Sequence, residues 1–290
     1  MHANLYLVVK GWALSYLFIV GLSLSAQTQS DLETERLLDI SRREQKITQQ
    51  LAADPEFYSE ADLERQINAL ILAYSHYLSA HPDDLSALIL YGKLLRRAGH
   101  HDQAFKVFLK ADALDPQIAV VKQQIGNHLA ETGNAKAALT FYLNAIELDP
   151  EVSIYHFAVG EILHNFRDQL LQDQLFSRAA LDREMLNAFQ AAVRLDPDNF
   201  DAQMRLGEAY YDLVEPEWGA ALRHWQALRR ATSDEASLRC QILDLHIMRV
   251  LGRLGRCAEA RTLGATILHP VLQHSKQQVL DQITPPSATE

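Results

Sequence analysis

YGKLLRRAGHHDQAFKVFLKADALDP at 91–116 and IGNHLAETGNAKAALTFYLNAIELDP at 125–150 decide the fold. Shifted by 34 residues, they superpose Gly92 on Gly126, Leu95 on Leu129, Ala104 on Ala138, Phe108 on Tyr142, Ala111 on Ala145 and Pro116 on Pro150. LSAHP puts Pro82 another 34 residues upstream, and QAAVRLDP closes a later copy at Pro197. A fixed period of this length marks a stack of supersecondary units, each unable to bury its apolar face alone.

The residue types suit two helices folded against each other. A glycine or alanine lets neighbouring helices come close, where a larger side chain would hold them apart. The rings of Phe108, Tyr142, Phe189 and Trp225 supply large apolar area to fill the spaces between units. Proline lacks an N–H and restricts the residue before it, so each Asp-Pro ends a helix. Gly99 in RRAGHHD and Gly133-Asn134 in ETGNA break the chain inside the hairpins.

The pattern resembles the tetratricopeptide repeat. Residues 85–118 form the first repeat (Tyr91, Gly92, Leu95, Ala104, Phe108, Ala111, Pro116) and 119–152 the second (Ile125, Gly126, Leu129, Ala138, Tyr142, Ala145, Pro150). Residues 153–199 form the third (Val159, Gly160, Leu163, Phe189, Ala192, Pro197) and 200–234 the fourth (Leu206, Gly207, Tyr210, Ala221, Trp225). Residues 27–84 are expected to hold a preceding hairpin, with Leu37, Ile40, Ile47 and Leu51 striping its first helix and Leu63–Ala80 its second. A degenerate hairpin with Gly255 at its turn is expected over 235–268, and a capping helix and disordered tail over 269–290. The resemblance implies an all-α, right-handed superhelical solenoid of antiparallel helix hairpins. Two departures stand out. The family's Trp position holds Leu88, Lys122, His156 and Gln203, and Met185 replaces the Ala that opens the third repeat's second helix.

The third repeat is also long. Gly160 to Pro197 spans 37 residues, against 24 from Gly92 to Pro116. With no Gly or Pro between 161 and 196, both helices are expected to lengthen. Leu170, Leu171, Leu175 and Phe176 in the added stretch are expected to pack on the elongated helices or a neighbouring hairpin, the alternative being a docking knob.

Upstream of the repeats, Gly11–Ala26 (GWALSYLFIVGLSLSA) carries no charge and follows Lys10. It has the layout of an export signal and is shorter than a comfortable bilayer span. Residues 1–26 are therefore expected to be a signal peptide, the alternative being a retained anchor. The protein is then expected to be exported, periplasmic if bacterial, with contact to a membrane only through that segment. Cys240 and Cys257 are expected to open the two helices of the fifth hairpin, too far apart for a disulfide.

Function classes narrow by composition. A net charge of −10, without a basic stripe, argues against nucleic acid. Twelve histidines include no His-Glu-x-x-His, and Glu161 with His164 lacks the second pair a di-metal site needs. There is no phosphate-binding loop and no nucleophile elbow. No catalytic residue, cofactor or metal is expected. The resemblance implies a protein or peptide partner, held on a concave groove lined by the first helices. In register, that groove presents Ile89, Lys93, Arg96 and Arg97, then Gln123 and Asn127, then Phe157, Glu161 and His164, then Met204, Glu208 and Asp212. It runs from basic to acidic, with Lys93, Arg96 and Arg97 expected to form a positive patch. The residues at the family's carboxylate-clamp positions do not match that clamp. A scaffold or adaptor in envelope assembly is the expected role. The alternatives are a regulatory or targeting subunit of an enzyme complex, or a self-associating structural protein.

Overall fold

The computed structural model describes residues 30–232 and 237–283. The segment expected to be an export signal and the expected disordered tail lie outside them. All the regular structure described is helical, and the chain divides into two units, Met1–Asp149 and Pro150–Glu290.

Among the described residues the first unit contains six helices: α1 (Ser30–Ala53), α2 (Glu60–Ala80), α3 (Leu85–Arg97), α4 (His101–Leu114), α5 (Ala119–Glu131) and α6 (Ala135–Leu148). They pair as three antiparallel hairpins. Ile40, Ile47 and Leu51 of α1 and Leu70, Tyr74 and Tyr77 of α2 are buried, as the stripe predicts. α3 is apolar on two sides because it is packed on two sides. Ala87 and Leu94 face the N-terminal hairpin. Leu88 and Leu95 join Phe108, Val121 and Ile125 in the next core layer. Asp84 caps α3, accepting the Ala87 amide at 3.0 Å, and Asn134 caps α6. α3 and α5 end in Schellman motifs: Gly99 and Gly133 take φ of +82° and +81°, and the next amides reach back to Leu95 and Leu129.

The second unit contains α7 (Ser153–Asn165), α8 (Arg167–Gln172), α9 (Arg178–Leu195), α10 (Phe200–Asp212), α11 (Trp218–Ala231), α12 (Leu238–Arg253), α13 (Cys257–Thr266) and α14 (Gln273–Ile283). α7 packs with α9, α10 with α11 and α12 with α13. α14 lies against α12 and α13, with Ile283 over Gly252. Cys240 and Cys257 sit near the starts of α12 and α13, as the register predicts.

The long third repeat differs from the expectation. α7 has 13 residues, no more than α3 or α5. The chain breaks at Phe166 (φ −112°, ψ 23°) and forms the separate short helix α8. α9 is the helix that lengthens, to 18 residues. The physical reason is apolar: Leu170 is fully buried and Leu171 and Phe176 are half-buried, which a straight extension into solvent would not allow. α8 ends in another Schellman turn with Gln174 at φ +56°, doing without glycine what Gly99 and Gly133 do elsewhere.

The glycines also act differently in detail. Each first-helix glycine lies directly under the ring of its own hairpin. A Cβ on Gly92 would stand 2.8 Å from Phe108, on Gly126 2.6 Å from Tyr142, on Gly160 2.5 Å from Phe189 and on Gly207 2.2 Å from Trp225. The rings thus pack within a hairpin as well as on the neighbour. In the fifth hairpin the pair is exchanged. Counting from the turn glycine, Met248 takes the Gly92 place and Gly264 the Phe108 place, and Gly264 lies under the Met248 thioether. One large and one small residue still meet there, so the packing survives although the motif does not.

Candidate protein-interaction surface

The first helices carry the predicted groove residues, and the structure places them unit by unit. In the first unit, Arg97 reaches Glu44 on α1, a buried carboxylate that also accepts the Tyr74 hydroxyl at 2.9 Å. Arg96 makes a two-pronged pair with Glu131 of the next first helix, one arm at 3.2 Å. The expected positive patch is therefore largely neutralised from within. Lys93 is the exception: half-buried, with no acidic or carbonyl partner among the described residues. Burial lowers its pKa from the ordinary lysine value. Ile89 is half-buried one turn before it. Gln123 is buried, and its amide donates to Asn127 Oδ1 at 3.2 Å. Asn127 also accepts the Tyr142 hydroxyl at 3.0 Å, and burial pushes that phenol up to about 12.

In the second unit, Glu161 and Glu208 share one cation. Arg205 donates to Glu161 at 2.6 Å and to Glu208 at 2.8 Å. His164 Nδ1 lies 3.0 Å from Asp212. Phe157 is half-buried edge-on to Phe189, with centroids 5.8 Å apart, and Met204 is half-buried. The acidic end of the predicted groove is thus mostly paired as well. The divergent Trp positions also acquire a role. His156 and Gln203 donate to the Pro150 and Pro197 carbonyls at 2.8 and 2.9 Å, each six residues back, and so satisfy the repeat joints.

Chemistry is sparse. Among the described residues no group of three or more His, Cys, Asp or Glu could hold a metal ion. Among them, too, no helix is long and apolar enough to cross a membrane.

The tetratricopeptide-repeat family profiles match residues 85–118, 119–152 and 186–234. The chain carries tetratricopeptide repeats over these residues. Its first two repeats match with the boundaries read from the sequence. Among curated proteins none matches. Among solved structures the chain is similar to Pseudomonas aeruginosa pilF, at 14% identity and a TM-score of 0.59, over 88% of this chain and 100% of that one. It is also similar to YrrB, a TPR protein with an unusual peptide-binding site, at 16% identity and a TM-score of 0.55, over 72% and 96%. For the MamA protein the values are 17% and 0.51, over 71% and 95%. At these identities the likeness is one of fold.

Sequence reasoning missed one position of the repeat. Lys93 and Asn127 each stand six residues before the left-handed glycine of their hairpin, Gly99 and Gly133. Six residues before Gly255 stands Arg249. Like Lys93 it is half-buried and has no acidic or carbonyl partner among the described residues. The other half-buried cations are all engaged: Lys122 with Asp112, Arg167 and Arg178 with Asp182, Arg229 with Asp244, and Lys276 with a carbonyl. Gly255 was the signal that could have located Arg249. The glycine-to-methionine exchange at Met248 concealed it.

Proposed function

We propose that this TPR protein is an interaction scaffold that holds an extended peptide or a partner's helix along its first-helix faces. The observation that carries this is Lys93. A half-buried ammonium without a counter-charge is costly, and every comparable cation in the first unit is paired. An incoming carboxylate supplies the missing partner, with Ile89 beside it for an apolar side chain and Asn127 at the same place on the next repeat. That YrrB is a TPR protein with a peptide-binding site agrees with such use of this fold. Gly11–Ala26 supports an exported location, periplasmic in a bacterium, and hence a role in envelope assembly.

The test is affinity capture with the wild-type chain and with Lys93→Glu, followed by mass spectrometry. Arg97 is left intact, because it is bound to Glu44. The expected outcome is loss of captured partners at a stability within about 1 kcal/mol of wild type, as for substitutions outside the core. Retention of every partner at the same salt dependence would refute the electrostatic role of Lys93. Export is checked separately by the N-terminal sequence of the mature protein, expected to begin near Ala26 or Gln27. Full-length protein confined to the cytosol would contradict it.

A further inference from the structure

Arg249 does not stand alone. On α12 it shares a face with His246, three residues before it, and Arg253, four residues after it. Facing them is a wall of rings from the fourth repeat. Tyr211 of α10 stacks on His246 with centroids 6.1 Å apart, its hydroxyl 3.3 Å from His246 Nδ1. Trp218, the first residue of α11, lies 5.5 Å from Tyr211. The Arg253 guanidinium lies 5.8 Å from the Trp218 ring centre. Behind them, fully buried Trp225 stacks on His246 at 4.2 Å.

The charge around this cluster is unbalanced. Arg249 is close enough to act electrostatically on both Tyr211 and His246. The acid that also acts on Tyr211 is Glu208, and Glu208 is already bound to Arg205 at 2.8 Å. Neither Arg249 nor Arg253 has a carboxylate partner among the described residues. In a chain of net charge −10, where the other half-buried arginines are paired with acids, half-buried Arg249 and exposed Arg253, one helical turn apart beside the half-buried rings of Tyr211 and Trp218, make a place complementary to negative charge. Guanidinium groups donate in a planar fork that matches a carboxylate, and an indole face accepts an apolar or aromatic side chain.

We propose that Arg249, Arg253, Tyr211 and Trp218 form a docking site for an acidic peptide segment of a partner protein. Its carboxylates pair with Arg249 and Arg253, and a neighbouring aromatic side chain lies on Trp218. This deepens the scaffold reading and rests on it. It also extends the interaction surface to a hairpin that the family profiles do not match.

The experiment titrates the full chain with an acetylated, amidated EEFEE peptide and follows tryptophan emission, with QQFQQ and EEAEE as controls and Trp218→Phe to assign the signal. The expected result is saturable quenching by EEFEE, weakened about tenfold or more in R249Q/R253Q. QQFQQ is expected to lose binding, and EEAEE to bind more weakly. Helicity and the unfolding midpoint of R249Q/R253Q should match wild type, because neither arginine holds an ion pair. The proposal is overturned if EEFEE gives no saturable signal or if R249Q/R253Q binds it as wild type does. It is overturned too if inorganic phosphate alone saturates the site, or if vesicles of anionic lipid are the ligand that depends on Arg249. The two claims separate in the capture experiment. If R249Q/R253Q captures every wild-type partner, this site falls and the scaffold stands; if wild type captures none, both fall.

Discussion

Gly207→Ala adds a single methyl group at the tightest point of the second unit. The new Cβ would stand 2.2 Å from Trp225 Cζ2, 2.4 Å from Cη2 and 2.5 Å from Cε2. Those distances are about 1 Å or more inside ordinary carbon contact. The ring cannot slide away easily. Trp225 is fully buried and held by His246 at 4.2 Å and His224 at 5.4 Å. Overpacking of this kind costs about 1–3 kcal/mol. Against it, alanine is the better helix former by about 1 kcal/mol. With contacts as short as 2.2 Å the upper half of the overpacking range applies, about 2–3 kcal/mol, and the net expectation is a loss of about 1–2 kcal/mol. Gly264→Ala provides the contrast. There the neighbours are the Met248 methyl and sulfur at 3.0 and 3.1 Å, the far end of a flexible side chain. The helix-forming gain then dominates, for a change between zero and about 1 kcal/mol in favour of the fold. Urea unfolding followed by far-UV circular dichroism measures both variants, with Gly207→Ala/Trp225→Phe as a partial rescue. If Gly207→Ala is as stable as wild type, or if the two variants shift in the same direction, ring-over-glycine packing is not what holds the hairpin closed.

Removing one partner of the buried Glu44–Arg97 pair leaves a charge stranded, so Arg97→Ala is expected to cost about 3–5 kcal/mol in urea unfolding, far more than Lys93→Ala. Burial, with Arg249 second, holds the His246 imidazole down to about 4, against about 6.5 in a free chain. Between those values the unfolded chain binds the extra proton, so this contribution is complete above about pH 6.5 and is lost as the pH falls towards 4. It amounts to roughly 3 kcal/mol, and the stability of wild type relative to His246→Phe should fall by about that much as the solution is acidified over that window. Gln174 occupies the left-handed region, which glycine adopts without a Cβ clash, so Gln174→Gly should raise the unfolding midpoint, by about 0.5–1 kcal/mol in stability.

The hairpins were legible because the packing that makes them is local. Gly92 and Phe108, or Gly126 and Tyr142, lie within one period of each other, and the same small–large contact recurs in four repeats. The N-terminal hairpin was legible for a similar reason: Ile40, Ile47 and Leu51 write their burial directly into helical spacing. The fold-back of the third repeat was not. Its break falls at Phe166 and its reverse turn at Gln174, and neither residue type signals a helix end. Of the candidate surface, Ile89, Lys93, Phe157 and Met204 remain half-buried and unpaired by charge. Sequence could not show that Arg97 is bound to Glu44, since a non-local pair leaves no periodic trace.

The paired charges have a pattern that bears on function. Glu44 and Arg97, then Arg96 and Glu131, each join one hairpin to the next in the first unit. Glu161 with Arg205, His164 with Asp212, and Asp244 with Arg229 do the same in the second. In a repeat protein the interfaces between neighbours supply much of the stability and all of the cooperativity. These residues therefore belong to the coupling between hairpins, although their places on the first helices resemble those of ligand contacts. Among the half-buried cations described, those without a carboxylate or carbonyl partner are left for a partner protein: Lys93 in one unit and Arg249, with exposed Arg253 one turn on, in the other. The partition makes opposite demands on mutants. Substituting a paired residue, as in Glu131→Gln or Arg229→Gln, should lower cooperativity and the unfolding midpoint, with any binding loss following from that. Substituting an unpaired one should abolish capture while the unfolding curve stays in place. A paired-residue variant that unfolds as wild type but no longer captures a partner would move that residue from the scaffold to the binding surface.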